Sequence, residues 1–259
     1  MFLDDNSLRA LLLSFIAGMS TLLGAFIVFT VKKRSERLVS GALGFAGGIM
    51  ISVSFSDLLP TGNELLQNYA GEKFGLILGT FFLLIGVLIA AGLDRFVPHA
   101  EEISGEQYKH QNLFRVGFVS TLAIGLHNFP EGIATFMAGY SDIALGLSIT
   151  VAIAMHNIPE GISVAIPIYY STGDVKKAFK YTFLSGIAEP VGALLAFLIL
   201  RPFINDITLG AIFAIISGIM LYIAIEELIP SSRQYGYMKT SLVFIFLGIV
   251  LMPLTHIVG

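Results

Sequence analysis

Cysteine is absent from the 259 residues, which removes disulfides, thiolate metal sites and any cysteine nucleophile. The redox compartment is therefore not readable from sulfur. Charge is scarce as well: only 13% of residues are Asp, Glu, Lys or Arg, where soluble domains carry about a quarter. The net charge of −3 comes with no basic stripe and no interleaving of aromatic with basic residues, so nucleic acid is excluded as a partner. Neither H-E-x-x-H nor G-x-S-x-G occurs, nor a His-rich cluster of the kind used by membrane di-iron oxidases. Met1 to Ser7 is acidic and lacks the basic n-region of a secretory signal. The apolar run that follows reads as a first membrane span.

What the chain has in plenty is apolar surface. Hydrophobic residues make up 55% of it, more than a soluble fold of this length can bury, so much of that surface must face lipid. A spanning helix needs about 20 mostly apolar residues. That ruler gives eight candidates, at 8–31, 40–61, 71–97, 113–139, 144–169, 177–200, 208–230 and 239–258. The expected fold is all-α, a polytopic membrane protein forming one transmembrane domain over 1–259. Breaks are expected at Lys32-Lys33-Arg34, Pro60-Thr61-Gly62-Asn63, the polar stretch Pro98 to Asn112, Tyr140-Ser141-Asp142, Thr172-Gly173-Asp174 and Pro230-Ser231-Ser232.

Orientation follows from the basic residues. With the amino terminus outside, 12 of the 15 Lys and Arg fall inside and 3 (Arg9, Lys73, Arg201) outside. Both termini are then expected outside an inner, cell membrane. An internal repeat adds to this. Gly48-Ile49-Met50 with Asp57-Leu58-Leu59-Pro60 returns as Gly218-Ile219-Met220 with Glu227-Leu228-Ile229-Pro230, at one offset of 170. Helices 1 and 6 share Gly18-x₅-Gly24-Ala25 and Gly186-x₅-Gly192-Ala193. Opposite topologies make these halves, helices 1–3 and 6–8, inverted repeats around a central helix 4–5 hairpin. Secondary transporters built this way place their sites near the midplane.

The chemistry concentrates in helices 4 and 5. His127-Asn128-Phe129-Pro130-Glu131-Gly132 and His156-Asn157-Ile158-Pro159-Glu160-Gly161 are two copies of H-N-x-P-E-G, 29 residues apart. Ionisable groups inside a bilayer cost about 2.5–3.5 kcal/mol each on insertion scales, so they need partners or water. His and Glu at i and i+4 share one helix face with Asn beside them. Each helix thus offers imidazole, amide oxygen and carboxylate at one locus. Proline removes a backbone donor and strains the carbonyl four residues back, so kinks are expected that turn backbone oxygens toward the locus. Centring the hairpin between Ile143 and Ala144 sets His127 level with Glu160 and Glu131 level with His156, and Glu189 falls midway along helix 6. Imidazole suits Zn²⁺ and Fe²⁺, oxygens suit Fe²⁺ and Mn²⁺, and three glutamates nearly neutralise two divalent ions. Polar residues also glue membrane helices together; the whole duplicated set favours metal.

Both hexads, the eight spans, the long inner loop between helices 3 and 4, and Glu189 before Pro190 resemble the ZIP (Zrt/Irt-like) metal transporters, in their bacterial ZupT-like branch. The resemblance implies uptake of Zn²⁺, Fe²⁺, Mn²⁺ and similar ions through a binuclear site, with no catalytic cofactor. It implies one metal held by His127, Glu131, His156 and Glu160, and another by Asn128, Glu131, Asn157, Glu160 and Glu189. It further implies an elevator-like motion of helices 1, 4, 5 and 6 against 2, 3, 7 and 8. Some relatives use a helix-2 ligand; Ser52-Val53-Ser54-Phe55-Ser56-Asp57 has no His or Met, leaving Ser54, Ser56 or Asp57.

Asp57 and Glu227, with Glu226, are expected to draw cations at entrance and exit, or equally to be solvated helix ends. His99, Glu101, Glu102, Glu106 and His110 read as a solvated loop, His256 as structural, and the glycines of the spans, such as Gly18, Gly24, Gly44, Gly47 and Gly48, as packing positions. A metal-selective channel is the alternative in class, an intramembrane metalloenzyme the more distant one. Partners are divalent ions and membrane lipid; oligomeric state, a homodimer included, is not legible.

Overall fold

Inside a bilayer every backbone polar group must be satisfied within the chain, which leaves an apolar polypeptide the helix. The computed structural model describes residues 4–29, 35–94, 109–203 and 205–255, and every regular element among them is helical. In chain order these are α1 (Asp5–Ala25, extended by a 3₁₀ turn at Phe26–Phe29), α2 (Glu36–Ala70), α3 (Glu72–Asp94), α4 (Lys109–Ser141), α5 (Ile143–Thr172), α6 (Val175–Leu200), α7 (Asp206–Gln234) and α8 (Met238–Thr255). Six stretches are long and apolar enough to cross a membrane: Asp5–Ala25, Glu36–Ala70, Glu72–Gly92, Ile143–Thr172, Val175–Leu200 and Asp206–Gln234. Met238–Pro253 is apolar but shorter, and α4 has the length, at 33 residues. The chain is an all-α polytopic membrane protein. Loop positions His99, Glu101, Glu102 and Glu106, the side chain of His110, and His256 lie outside the described residues.

Local chemistry sets the helix ends. Asp4, Asp142 and Asp174 accept the backbone N–H of Ser7, Leu145 and Lys176, each at 2.8 Å, satisfying donors that a helix start leaves open. Gly71 and Gly236, at φ +82° and +80°, make the turns from α2 to α3 and from α7 to α8. The left-handed backbone there suits glycine because it has no Cβ.

Two expected ends are corrected. Helix α2 does not stop at Pro60-Thr61-Gly62-Asn63 but continues to Ala70, and α7 runs past Pro230-Ser231-Ser232 to Gln234. The reason is a widened turn ahead of each proline. Ser54–Leu58 and Ile223–Leu228 are π-helical. Leu59 N–H bonds to Ser54 O, and Ile229 N–H to Ala224 O, 170 residues later. The extra residue per turn relieves the clash a proline makes with the carbonyl four back.

The same repeat organises the packing. A Cβ on Gly48 would overlap Ile245 O, and one on Gly248 would strike Phe45 O; 170 and 162 residues away, Gly218 overlaps Leu83 O and Gly86 overlaps Ile215 O. Helix α2 therefore meets α8 as α7 meets α3. The antiparallel sense of α2 and α7 shows in their contacts, Gly62 on Gly210 and Ser54 O accepting from Ser217 Oγ at 3.0 Å. The repeat read from sequence is thus an inverted repeat in space. Helices α1, α4, α5 and α6 pack on one another, α2, α3, α7 and α8 likewise, and the two groups meet at α2 against α5 and α7 against α4.

Candidate metal site

The hexads sit in the interiors of α4 and α5, which run unbroken through Pro130 and Pro159. Regular structure breaks instead in α6, at Ile187. Pro190 has no N–H to give Gly186 O, and the interruption leaves Glu189 in the first turn of the following segment, Ala188–Leu195.

A second quasi-two-fold match, among α1, α4, α5 and α6, builds the site. Cβ atoms on Gly24 and Gly161 would overlap Ile158 O and Thr21 O respectively. Those on Gly192 and Gly132 would overlap Phe129 O and Glu189 O. Here 168 residues separate α1 from α6 positions and 29 separate α4 from α5 positions, so α1 lies on α5 as α6 lies on α4. The asparagines obey the same relation. Asn157 Nδ2 donates to Ala17 O at 3.0 Å, and Asn128 Nδ2 donates to Ser185 O at 3.2 Å. Ser185 is Ala17 advanced by 168. With each amide nitrogen committed to a carbonyl, each Oδ1 is assigned to the opposite side, where Asn128 Oδ1 and Asn157 Oδ1 have no hydrogen-bond partner among the described residues.

The hairpin register follows the expectation. His156 Nε2 donates to Glu131 Oε1 at 3.0 Å, so Glu131 is level with His156. The turn that fixes this is short: Asp142 is the sole non-helical residue between α4 and α5, and the Gly139 and Gly146 backbones touch. Glu189 joins from α6, its Oε2 accepting from Asn157 Nδ2 at 2.9 Å and its carbonyl from Ser14 Oγ at 3.3 Å. Glu131 and Glu160 both lie within electrostatic reach of its carboxylate.

Asn128, Glu131, His156, Asn157, Glu160 and Glu189 are all fully buried. His127 falls on α4, and its side chain is outside the described set. Among the described residues no three His, Asp or Glu side chains form a finished metal cage, and none of the buried side chains is Lys or Arg. Tetrahedral ligands at about 2.0–2.2 Å from zinc lie about 3.4 Å from one another. The 3.0 Å His156–Glu131 separation would need to open by a few tenths of an ångström to admit an ion.

The helix-2 candidates divide. Ser54 is buried, while Ser56 is exposed and donates to Asp57 Oδ2 at 2.8 Å and to Ser52 O at 2.7 Å. Reading the sequence alone misses the carbonyls of Ala17 and Ser185, which hold the asparagines. Extending the 168 offset outward from Gly18 and Gly186 by one residue would have paired them.

A model of the ZIP zinc transporter family matches residues 99–255. The protein is 43% identical to zinc transporter ZupT of Oceanobacillus iheyensis over 97% of this chain and 98% of that one. It is 41% identical to ZupT of Clostridium perfringens over 97% and 96%, and 40% identical to ZupT of Streptococcus mutans over 98% of each. With the family model matching more than half of the sequence and relatives of 40–43% identity matching nearly all of it, the chain belongs to the ZIP zinc transporter family.

Proposed function

We propose that this protein moves Zn²⁺, and with it Fe²⁺ and Mn²⁺, across the cell membrane into the cytoplasm. The cargo would pass through a site made by His127, Asn128, Glu131, His156, Asn157, Glu160 and Glu189. The observation that carries the reading is the burial of three carboxylates with His156 and two amides, on three helices, in a protein whose described lysines and arginines all stay out of the interior. Carboxylates at such depth are tolerable when cations neutralise them in passing. Glutamates on α4 and α5, each about one helical turn after an asparagine, suit a bridged pair of ions, and the mixture of imidazole and oxygen donors suits a broad site rather than a strict zinc one.

The helices are read as eight spans with both termini outside, supported by the 12-to-3 distribution of basic residues. Alternating access is favoured over a channel by the glycine contacts. Every described glycine with a neighbour inside 4 Å finds its nearest ones within its own four-helix group. Backbone-to-backbone locking therefore stops at the boundary between groups, where one group can slide on the other.

The test is flux of Zn²⁺, Fe²⁺, Mn²⁺ and Cd²⁺ into proteoliposomes by the intact protein, Glu131→Ala and Glu160→Ala. Loss of a direct ligand is expected to cut zinc flux by about 100-fold or more. Undiminished flux in both variants would defeat the site.

A further inference from the structure

Buried helical threonines in this protein follow one habit. Thr121, Thr135, Thr150 and Thr182 each donate to the carbonyl four residues back, at 2.7–2.9 Å. Thr21 departs from it. It is fully buried, yet its Oγ1 has no hydrogen-bond partner among the described residues. The cause is local: its usual acceptor, Ala17 O, is already taken by Ser20 Oγ at 2.6 Å and by Asn157 Nδ2 at 3.0 Å. A hydroxyl left so in an apolar interior costs about 1–3 kcal/mol, and nothing in the packing of α1 requires it, because valine has the same shape.

Symmetry says where that hydroxyl stands. The relation that takes Ala17 to Ser185, Gly18 to Gly186 and Gly24 to Gly192 takes Thr21 to Glu189. The contacts agree: a Cβ on Gly18 would lie 3.0 Å from Glu189 Cβ, and one on Gly186 would lie 3.2 Å from both Thr21 Cβ and Oγ1. Glu189 meets Asn157. Thr21 holds the matching place on the Asn128 side, where Asn128 Oδ1 likewise has no hydrogen-bond partner among the described residues.

We propose that Thr21 is a specificity-determining residue of the metal site, presenting a neutral oxygen to the cation on the Asn128 side where Glu189 presents a charged one on the Asn157 side. The inference rests on the site assigned above. It makes the site unequal across its quasi-two-fold axis: beyond Glu131 and Glu160, which the two sides share, the Asn157 side adds a carboxylate and the Asn128 side a neutral hydroxyl. A hydroxyl oxygen favours hard ions over soft ones, so its loss should tell on Mn²⁺ before Zn²⁺.

The experiment compares Thr21→Val, Thr21→Ser, Thr21→Ala and Glu189→Ala in the purified full chain. It reads equilibrium Mn²⁺ and Zn²⁺ binding, the half-saturating concentration of each ion for flux, and the thermal midpoint. Thr21→Val and Thr21→Ala are expected to weaken Mn²⁺ roughly tenfold, the scale of one lost hydrogen bond or weak ligand, and Zn²⁺ by about threefold or less. Thr21→Ser keeps both. The midpoint of Thr21→Val should not fall, because the hydroxyl contributes no bond to the fold. An unchanged Mn²⁺-to-Zn²⁺ ratio in Thr21→Val and Thr21→Ala, with Glu189→Ala impaired, overturns the role of Thr21 and leaves the site standing. Equal weakening of both ions with a lowered midpoint overturns it too, since that is a packing role. A Glu189→Ala protein that binds and transports as the wild type removes the site itself.

Discussion

Helices α1, α4, α5 and α6 and helices α2, α3, α7 and α8 use the same device for different ends. Both groups are closed by glycines whose missing Cβ lets one backbone rest on the next, Gly24, Gly132, Gly161 and Gly192 in the first, Gly48, Gly86, Gly218 and Gly248 in the second. In the first group this close approach brings three carboxylates, an imidazole and two amides into one buried locus. In the second it brings together apolar residues, with serines such as Ser52 and Ser217 donating to the carbonyls of Ile249 and Ser54. Both groups carry rows of exposed apolar side chains, among them Leu8, Leu12, Phe15 and Ile16 on α1 and Phe74, Ile77, Phe81 and Leu84 on α3. Both groups turn apolar faces outward, and they differ inside: the first is built around polarity, the second around apolar packing. Small residues fix the shape of both without specifying the contents of either.

Three perturbations break or sharpen that contrast. The largest effect is expected from Gly161→Val, whose Cβ would overlap the Thr21 carbonyl. Overpacking backbone against backbone should cost about 4 kcal/mol or more, and Gly218→Val in the other group should cost as much. Thermal midpoints of the purified variants read it, and a large loss in one group only would mean that the groups are not equivalent in packing.

Next comes a chemical clamp, helped by the absence of cysteine. Ser35 N–H donates to Tyr170 Oη at 3.0 Å across the boundary, whereas Arg37 Nε donates to Thr240 Oγ1 at 3.2 Å within one group. Joining Ser35→Cys to Tyr170→Cys with a short bifunctional thiol reagent should arrest zinc flux without lowering the midpoint, since a cross-link restricts the unfolded chain. Joining Arg37→Cys to Thr240→Cys should leave flux intact. Equal flux in both clamped proteins would refute relative movement of the groups.

The smallest effect belongs to Gly92, where an added methyl group would meet nothing within 4 Å. Gly92→Ala should leave transport unaltered and raise stability by about 0.5–1 kcal/mol through helix propensity, measured as a small upward shift of the midpoint.

Much of this was legible in the sequence. The hexads, their 29-residue spacing and the hairpin register translate directly into the His156–Glu131 bond, because helical periodicity and a one-residue turn leave little freedom. The 170 offset also survives into structure, down to the paired π-turns. What misled was proline. Pro60 and Pro230 are ordinary stop signals, and nothing local announces that a π-turn will absorb each of them. Pro130 and Pro159 lie inside continuous helices, and the interruption of regular structure falls at Ile187, ahead of Pro190, where Gly186 and Gly18 bring α6 against α1. Thr21 was invisible for a different reason. Its standing depends on which donors reach Ala17 O, and those come from Ser20 and from the distant Asn157.

The single-residue link between α4 and α5 has a consequence that surface loops rarely carry. Loops are where chains ordinarily tolerate insertion. Here one added residue would either rotate a hexad by about 100° and shift it by about 1.5 Å, or buckle the Gly139–Gly146 crossing. Either way His156 and Glu131 part. The exposed corner at Asp142 is thus as length-intolerant as the interior, and the spacing of the two hexads is set there.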